Sequence, residues 1–288
     1  MLTKIYLETT NVCNLSCSFC HGTKRPKSFM TYEKFREILP KIKGKSKHLY
    51  FHLMGEPLLN KDLPKMVHDA KAEGFEVMLT TNGTLLSERG NFIFESGDVK
   101  KVSVSLQSVD IIDGKPCADF SEKLDEYLGN VAVFATNCGK NGVICSLRLW
   151  NIEKEDDTKN DFLIEKLHFL FPDNWPESRS GYKLFNTPKG IMPVFLEFGE
   201  LFTWPDEKEK EKDVTFCHAI RDQVGILCDG TVVPCCLDAD GVMALGNIYK
   251  NDFDEIINCD KALKILKSFN ERKPCEKLCK TCGYAKRF

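Results

Sequence analysis

The sequence has no segment that would direct the chain to a membrane or anchor it there. Its first residues, MLTKIYLETTN, lack the basic region and apolar stretch of a secretory signal, and no run of 18 apolar residues occurs in the 288. An excess of positive charge is also missing, since 40 Lys and Arg stand against 42 Asp and Glu, giving a formal charge of −2. A cytoplasmic protein without bulk binding of nucleic acid is therefore expected.

Nothing in the composition indicates a repetitive or disordered chain. The 19 glycines, 12 prolines and 42% hydrophobic residues are ordinary for a globular protein, and no internal repeat or low-complexity segment occurs. Cysteine is the exception, because 14 are present. That content is below the ~8–10% of small disulfide scaffolds, and in a reducing cytosol such cysteines are expected to ligate metal or take part in redox chemistry.

Strand-like runs alternate with helical patterns over the first two thirds of the chain. Repeated β then α segments indicate a parallel sheet with helical crossovers. About six such units fit the first 200 residues, fewer than the eight of a complete barrel, so an α/β fold with a partial (β/α)6 TIM-like barrel is predicted. The predicted strands are 4–8, 49–53, 75–80, 99–106, 143–149 and 194–198, and the predicted helices are 32–42, 63–73, 85–95, 120–134 and 162–171.

A charge run, DEKEKEKD at 206–213, has no apolar periodicity and is typical of a solvated linker. It sets the predicted domain boundary, with the barrel in residues 1–205 and a small cysteine-rich module in residues 206–288. The module is predicted to contain a β-hairpin, with a type I′ turn at Asp229-Gly230, and two short helices. The predicted hairpin strands are 224–228 and 231–234, and the helices are 253–257 and 261–269.

Three cysteines follow the first predicted strand, Cys13, Cys17 and Cys20, in C-x3-C-x2-C spacing on a loop. Three thiolates leave a fourth coordination position open on a metal or cluster, whereas a structural zinc site usually has a closed set of four ligands. The loop after a barrel strand lies at the C-terminal face, where active sites gather. This loop is therefore the first candidate for the catalytic centre.

The motif CNLSCSFC, including the aromatic Phe19 before its last cysteine, resembles that of the radical S-adenosylmethionine (SAM) superfamily. The resemblance extends over the first ~200 residues. It implies a [4Fe–4S] cluster held by Cys13, Cys17 and Cys20, with SAM bound at the fourth iron. One electron then cleaves SAM to methionine and a 5′-deoxyadenosyl radical, which takes a hydrogen atom from the substrate. The protein would orient these cofactors and exclude quenchers.

The segment Met54-Gly55-Glu56-Pro57 is similar to the Gly-Gly-Glu-Pro motif of the same superfamily, with Met54 in place of the first glycine. The resemblance implies that the Gly55–Pro57 backbone and the Glu56 carboxylate receive the SAM ammonium. It also implies that Ser105 contacts the SAM ribose, while Gln107 stands where many members have aspartate. Asn82, at the end of the third predicted strand, is placed with these cofactor-binding residues.

One face of two predicted strands is polar, although a parallel strand covered on both sides is usually apolar. Ser103, Ser105 and Gln107 share this face in one strand, and Ser146 and Arg148 share it in the next. Glu8 and His52 are placed there by the same alternation. A polar lumen that holds ligand is predicted, in which Arg148 either binds a ligand carboxylate or forms a structural ion pair.

A second cysteine constellation lies in the C-terminal module and resembles the Twitch form of the SPASM extension, which carries one auxiliary [4Fe–4S] cluster. Cys275 and Cys236 are competing ligands, because Cys275 with the last two cysteines repeats the spacing of the first motif. A four-cysteine zinc ribbon is the alternative for the module. The preferred ligands are Cys217, Cys235, Cys279 and Cys282.

Together these features predict a radical SAM oxidoreductase with two [4Fe–4S] clusters, in which the auxiliary cluster accepts an electron. The chain begins at the first strand, without a module for a leader peptide, which favours a small molecule or nucleotide over a peptide as substrate. An electron donor such as flavodoxin or ferredoxin is the expected partner. A radical enzyme acting on a peptide or protein, and a non-enzymatic zinc-binding interaction protein, remain as alternatives. No residue is assigned as general base or hydrogen donor.

Overall fold

The structure is a computed structural model that describes residues 2–112, 115–118, 120–152, 158, 160–171, 182–185 and 192–288. Strands among these residues are β1 (Leu2–Leu7), β2 (Ser46–Phe51), β3 (Glu76–Thr81), β4 (Val99–Ser105), β5 (Ile111–Ile112), β6 (Lys115–Pro116), β7 (Ile144–Ile152), β8 (Tyr182–Phe185), β9 (Val194–Glu200), β10 (Gln223–Ile226), β11 (Thr231–Val233) and β12 (Gly246–Asn247). The α-helices are α1 (Tyr32–Ile42), α2 (Leu63–Ala72), α3 (Leu86–Arg89), α4 (Phe92–Glu95), α5 (Leu124–Lys140), α6 (Asp161–Leu170), α7 (Phe253–Ile257), α8 (Asp260–Asn270) and α9 (Lys277–Lys280).

The chain divides into two compact units. The first comprises Met1–Cys13, His21–Val77 and Phe202–Phe288, and the second comprises Asn14–Cys20 and Met78–Leu201. The boundary predicted near residue 206 divides the chain at one point in the sequence, whereas these units are defined by which residues lie close together in space. The boundary therefore stays a prediction.

In the first unit the strand order is β12-β11-β10-β1-β2, followed by the start of β3. β1 lies parallel to β2, with Leu7 opposite Phe51, and parallel to β10, with Leu7 opposite Ile226. β10 and β11 are antiparallel, as predicted for the hairpin. The hairpin of the C-terminal segment therefore continues the sheet that begins with the first strand of the chain.

In the second unit the end of β3 is followed in the sheet by β4, β7, β9 and β8. β4, β7 and β9 pair in parallel, and β8 pairs antiparallel with β9. The prediction of an α/β fold on parallel strands is confirmed. Among the described residues the sheet is not closed into a ring.

Helix α1 shows how the sequence sets an element. The Thr31 hydroxyl accepts the Lys34 N–H at 3.3 Å and caps the helix N-terminus. Phe35, Ile38 and Ile42 are all fully buried, which is the spacing of one helical face. The predicted helix 32–42 is confirmed at both ends.

The predicted type I′ turn at Asp229-Gly230 is wrong. The Gly230 N–H donates to the Leu227 carbonyl at 2.8 Å, and the Leu227 N–H donates to the Thr231 carbonyl at 2.9 Å. Gly230 has φ +85°, but Asp229 has no positive φ, and a type I′ turn requires positive φ at both central residues. The strands are therefore joined by a longer loop that ends in a left-handed glycine.

The predicted helix 85–95 forms two short helices, α3 and α4, with Gly90 between them. A Cβ at Gly90 would lie 2.5 Å from the Leu86 carbonyl oxygen. No helix in the described part of the chain combines the length and apolar character needed to cross a bilayer.

Candidate active site and auxiliary metal centre

In the first unit, Gly55 lies directly against the segment that leads into Cys13. Gly55 has φ +74°, and a Cβ there would lie 2.4 Å from the Thr10 oxygen and 2.7 Å from the Val12 oxygen. The Glu56 N–H donates to the same Val12 oxygen at 2.8 Å. Only glycine fits this approach. The Gly55-Glu56 segment is thereby fixed beside the start of the cysteine motif.

Glu56 is buried, with 1% of its surface exposed. Its carboxylate accepts the Leu58 N–H at 3.0 Å and caps the short 3-10 turn Pro57–Leu59. A buried carboxylate is costly unless hydrogen bonds or a cation compensate for the lost water. Glu56 therefore has the charge and burial expected of a group that receives an ammonium.

In the second unit, one hydrogen-bond network holds the beginning of the loop Asn14–Cys20. The Asn82 side-chain amide donates to the Asn14 side-chain oxygen at 3.0 Å, and Asn14 donates to the Thr84 hydroxyl at 2.8 Å. The Thr84 hydroxyl in turn donates to the Asn82 side-chain oxygen at 2.7 Å. Asn82 therefore positions the loop that carries the cysteines.

The middle of the same loop is held by residues that follow β4. The Cys17 thiol lies 3.8 Å from the Ser108 carbonyl oxygen, and the Ser18 N–H donates to the Asp110 carboxylate at 3.2 Å. Asp110 is 5% exposed and has φ 51°, a backbone conformation that residues other than glycine rarely adopt. Sequence reasoning missed this role of Asp110, because it depends on a partner 92 residues away.

The polar face predicted for two neighbouring strands is present on β4 and β7 of the second unit. Ser103 pairs in register with Ser146, and Ser105 pairs with Arg148. Ser103 and Ser146 are 2% and 0% exposed. Gln107 is 8% exposed, and its side-chain oxygen has no hydrogen-bond partner among the described residues. This face therefore presents buried polar groups.

Arg148 forms an ion pair within this face. The Arg148 Nε donates to one carboxylate oxygen of Glu197 at 3.0 Å, and Lys101 donates to the other at 2.6 Å. The Arg148 guanidinium also lies 4.5 Å from the Trp150 ring centroid. Burial raises the pKa of Glu197, but Arg148 and Lys101 outweigh it, and the pKa is lowered overall. The structural ion pair is thus observed, while ligand binding by Arg148 stays a prediction.

Sequence reasoning missed Glu197, although a signal was available. It is the single acid in the run VFLEF, at a position that alternates with apolar residues. In the structure it pairs in register with Arg148. A lone acid in an apolar strand predicts a buried cation nearby.

The predicted residues of the SAM site divide between the two units. Cys13 is exposed, Cys17 and Phe19 are half-buried, and Cys20 is exposed. The first unit contains Cys13, Gly55, Glu56 and Pro57, and the second contains Cys17, Phe19, Cys20, Asn82, Ser105, Gln107 and Arg148.

The preferred auxiliary ligands, by contrast, all belong to the first unit. Cys217 precedes β10, Cys235 follows β11, Cys279 lies on α9 and Cys282 lies just after it. Cys282 accepts the Ala285 N–H at 3.4 Å. The segments on either side of the hairpin therefore supply two of the cysteines, and the C-terminal segment supplies the other two.

These four thiols lie near enough to influence one another's ionisation. Burial raises the pKa of Cys235, and Cys236, Cys217 and Cys279 raise it further. Burial also raises the pKa of Cys279, with additional effects from Cys217 and Cys282. Neighbouring thiols raise one another's pKa because two thiolates close together repel. Binding to a shared cationic centre offsets this repulsion and stabilises them as thiolates. Closely spaced thiols of this kind suit an iron–sulfur cluster, and the choice of its four ligands stays a prediction.

The competing cysteines lie close to the same set, because Cys236 raises the pKa of Cys235 and Cys275 raises the pKa of Cys279. The Cys275 thiol lies 3.9 Å from the Lys264 carbonyl oxygen and 3.8 Å from the Glu276 carboxylate. Burial raises the pKa of Cys236 to about 11, and Lys4 and a hydrogen bond with Tyr6 oppose that rise. Among the described residues, no three His, Cys, Asp or Glu side chains are arranged to hold a single metal ion.

The sequence matches two family models. Residues 7–145 match the radical SAM superfamily, and residues 217–283 match the SPASM iron–sulfur cluster-binding domain. The chain belongs to the radical SAM superfamily and carries a C-terminal SPASM domain. The cofactors of these domains are SAM and [4Fe–4S] clusters.

Curated relatives and solved structures are similar to this chain as follows. A probable GTP 3′,8-cyclase of Archaeoglobus fulgidus is 34% identical over 112 residues, 38% of this chain and 37% of that protein. The tungsten-containing aldehyde ferredoxin oxidoreductase cofactor-modifying protein of Pyrococcus furiosus is 28% identical over 153 residues, 49% of this chain and 43% of that protein. The chain thus matches less than half the length of these relatives.

Two solved structures show the fold. BtrN in complex with AdoMet and 2-DOIA has a TM-score of 0.60 at 16% identity and covers 98% of this chain and 93% of BtrN. The anSMEcpe enzyme with bound AdoMet has a TM-score of 0.62 at 16% identity and covers 98% of this chain and 89% of its own. The predicted partial barrel of radical SAM enzymes is confirmed.

Proposed function

We propose that this protein cleaves SAM reductively at a [4Fe–4S] cluster held by Cys13, Cys17 and Cys20, and that it oxidises a small molecule or nucleotide. The observation that carries the proposal is the contact of Gly55-Glu56 with Val12. It joins the expected SAM-binding segment to the start of the cysteine motif within one unit. A site for zinc alone would not need a buried carboxylate beside its ligands.

When bound, the cluster and SAM supply a 5′-deoxyadenosyl radical that removes a hydrogen atom from the substrate. The protein's own residues bind and orient the reactants. Glu56 offers a buried negative charge for the SAM ammonium, and Ser105 and Gln107 offer polar groups on the face of β4 and its following turn. Asn82 holds the cysteine loop in place.

The auxiliary cysteines support the oxidative half of the proposal. Cys217, Cys235, Cys279 and Cys282 would ligate all four irons, so no iron of that cluster would be open to SAM. A cluster of this kind suits electron transfer. It would accept the second electron when the substrate radical is oxidised. Several relatives are named GTP 3′,8-cyclase, which supports a nucleotide as one candidate substrate.

The test replaces Cys13, Cys17 and Cys20 together with Ala. After anaerobic reconstitution, iron and sulfide should fall by about one [4Fe–4S] equivalent, and 5′-deoxyadenosine should no longer form with a strong reductant. Cys117→Ala changes a half-buried cysteine outside both sets and is the control. Formation of 5′-deoxyadenosine by the triple variant would contradict the assignment.

The substrate class requires a separate measurement. A metabolite extract is separated into fractions, and each fraction is incubated with purified protein, SAM and reductant. The release of 5′-deoxyadenosine is measured for each fraction. A product two hydrogens lighter than its substrate supports oxidation, whereas an isomer of a nucleotide supports rearrangement. A zinc content of one equivalent in anaerobically purified protein, without iron or sulfide, would favour the zinc-binding alternative.

A further inference from the structure

Positive charge is concentrated in the C-terminal segment of a chain that is slightly acidic overall. Residues 261–288 contain nine Lys and Arg but two Asp and Glu, although the whole chain has a formal charge of −2. The same segment carries Cys279 and Cys282. Its exposed cations are Lys264, Lys267, Arg272, Lys273, Lys277, Lys286 and Arg287.

Part of this charge lines a cleft of about 420 Å³ in the first unit, whose walls include Phe216, Arg221, Asn270, Arg272 and Phe288. The Arg221 guanidinium lies 5.1 Å from the Phe216 ring centroid and donates to the Asn270 side-chain oxygen. The Phe216 and Phe288 ring centroids are 6.4 Å apart. Arg221 is thus held against an aromatic ring beside the second arginine of the cleft.

The charge of the cleft is not neutralised nearby. Neither Arg221 nor Arg272 forms an ion pair with any residue that the structure describes, and the neighbouring acid Asp222 is bound to His218 at 2.5 Å. In the wider segment Lys267 is paired with Glu271 at 3.8 Å, but the excess of positive charge remains. A cationic surface attracts a partner of opposite charge and accelerates its association.

The cleft also adjoins two of the proposed auxiliary ligands. Phe216 directly precedes Cys217. On the other side, the Phe288 ring centroid is 5.7 Å from that of Tyr284, which is two residues after Cys282. Electron transfer slows steeply with distance. A redox partner seated at this cleft would therefore be close to the auxiliary cluster.

We propose that this cleft and the exposed cations of 261–288 form a docking surface for a small acidic electron-carrier protein. The inference rests on the proposed function, because it takes Cys217 and Cys282 as cluster ligands. One electron passes from the reduced auxiliary cluster to the oxidised carrier, so the cluster is oxidised by one electron and the carrier is reduced by one. No atom is transferred, and the same path in reverse reduces the cluster.

The test measures stopped-flow electron transfer from flavodoxin hydroquinone to the holoprotein, without SAM or substrate. The variant Arg221→Glu/Arg272→Glu should lower the second-order rate constant at least about tenfold at low ionic strength. The difference should vanish near 1 M salt, where the Debye length is about 3 Å. Reduction by titanium(III) citrate, a small molecule, should be unchanged.

The matched control is Lys61→Glu/Lys71→Glu, which changes the net charge equally at two exposed lysines in a segment without cysteines. Equal slowing in the control would mean that total charge, not this surface, sets the rate. If Arg221→Glu disturbs folding, Arg272→Glu/Lys273→Glu changes two exposed cations instead. Unchanged rates in a folded variant would overturn the proposal.

Calorimetry with oxidised flavodoxin and the holoprotein measures docking without electron transfer. Salt-sensitive binding that is lost in Arg221→Glu/Arg272→Glu and in Arg272→Glu/Lys273→Glu would support the docking surface. It would do so even if the assignment of the auxiliary cluster ligands failed. If the variant Arg221→Glu/Arg272→Glu no longer binds a single-stranded RNA but keeps carrier binding and electron transfer, the surface binds nucleic acid. That result would overturn the proposal.

Discussion

A buried ion pair ties the first strand to the C-terminal hairpin, and its removal should destabilise the protein strongly. The Glu8 carboxylate is fully buried and accepts two bonds from Arg25, at 2.6 and 2.9 Å, and the Cys228 N–H at 3.0 Å. Arg25 also donates through Nε to the Ala239 carbonyl at 2.8 Å. Every one of these residues belongs to the first unit.

The expected loss follows from what each change leaves behind. Arg25→Ala leaves the Glu8 charge buried with the Cys228 N–H as its remaining partner in this network, and breaking a buried pair in this way costs about 3–5 kcal/mol. Glu8→Gln keeps an acceptor and removes the charge, so its loss should be smaller, about 1.5–3 kcal/mol. Arg25→Met/Glu8→Leu removes both charges and should recover most of the stability lost in Arg25→Ala.

The assay is anaerobic urea unfolding of the metal-free chain, followed by circular dichroism and tryptophan fluorescence. Lys65→Ala, which removes an exposed lysine paired with Asp62, is the control and should change nothing measurable. If Arg25→Ala lowers the free energy of unfolding by less than about 1 kcal/mol, the reasoning is refuted, because an unpaired buried charge is expected to destabilise the fold by more than that. A double variant no more stable than Arg25→Ala would refute it as well.

Three further outcomes are expected. Glu56→Gln should weaken SAM binding in calorimetry by about 1.5–3 kcal/mol, or about 10- to 150-fold, with unchanged iron content; equal affinity would remove Glu56 from the site. Replacing Cys279 and Cys282 with Ala should lower iron by about one cluster while 5′-deoxyadenosine still forms; full iron retention would contradict their role as ligands. The pKa of Glu197 is lowered, because Arg148 and Lys101 outweigh burial, so its stabilisation is complete above the ordinary carboxyl pKa of about 4.3 and is lost as pH falls. Glu197→Gln should therefore flatten the decline of the unfolding free energy below about pH 5, and an unaltered decline would count against that assignment.

The sequence predicted those elements whose causes lie within a few residues. The apolar spacing of Phe35, Ile38 and Ile42 and the cap at Thr31 determine α1, because both act within one or two helical turns. The tight spacing of the cysteine motif likewise needs no tertiary information. Its resemblance to a known family, now confirmed for residues 7–145, identified the cofactors.

Other features could not be predicted, because they depend on where distant segments meet. The turn at Asp229-Gly230 fits a type I′ hairpin by composition, but the structure has only Gly230 at positive φ. The strand of Glu197 was predicted, yet its pairing in register with Arg148 was not. Asp110 lies in a turn with no recognisable motif and contacts Ser18 only in the folded chain.

The sequence by itself determined which residues can carry the chemistry: cysteines in two constellations and a glutamate in a glycine-proline segment. Only the tertiary structure decided that the C-terminal hairpin extends the first sheet through β10 and β1, and that Glu8 faces Arg25 and Cys228. Glu8 and Cys228 are 220 residues apart in sequence. Periodicity and spacing act locally, whereas strand pairing and the neutralisation of buried charge are settled by whichever segments the folded chain brings together.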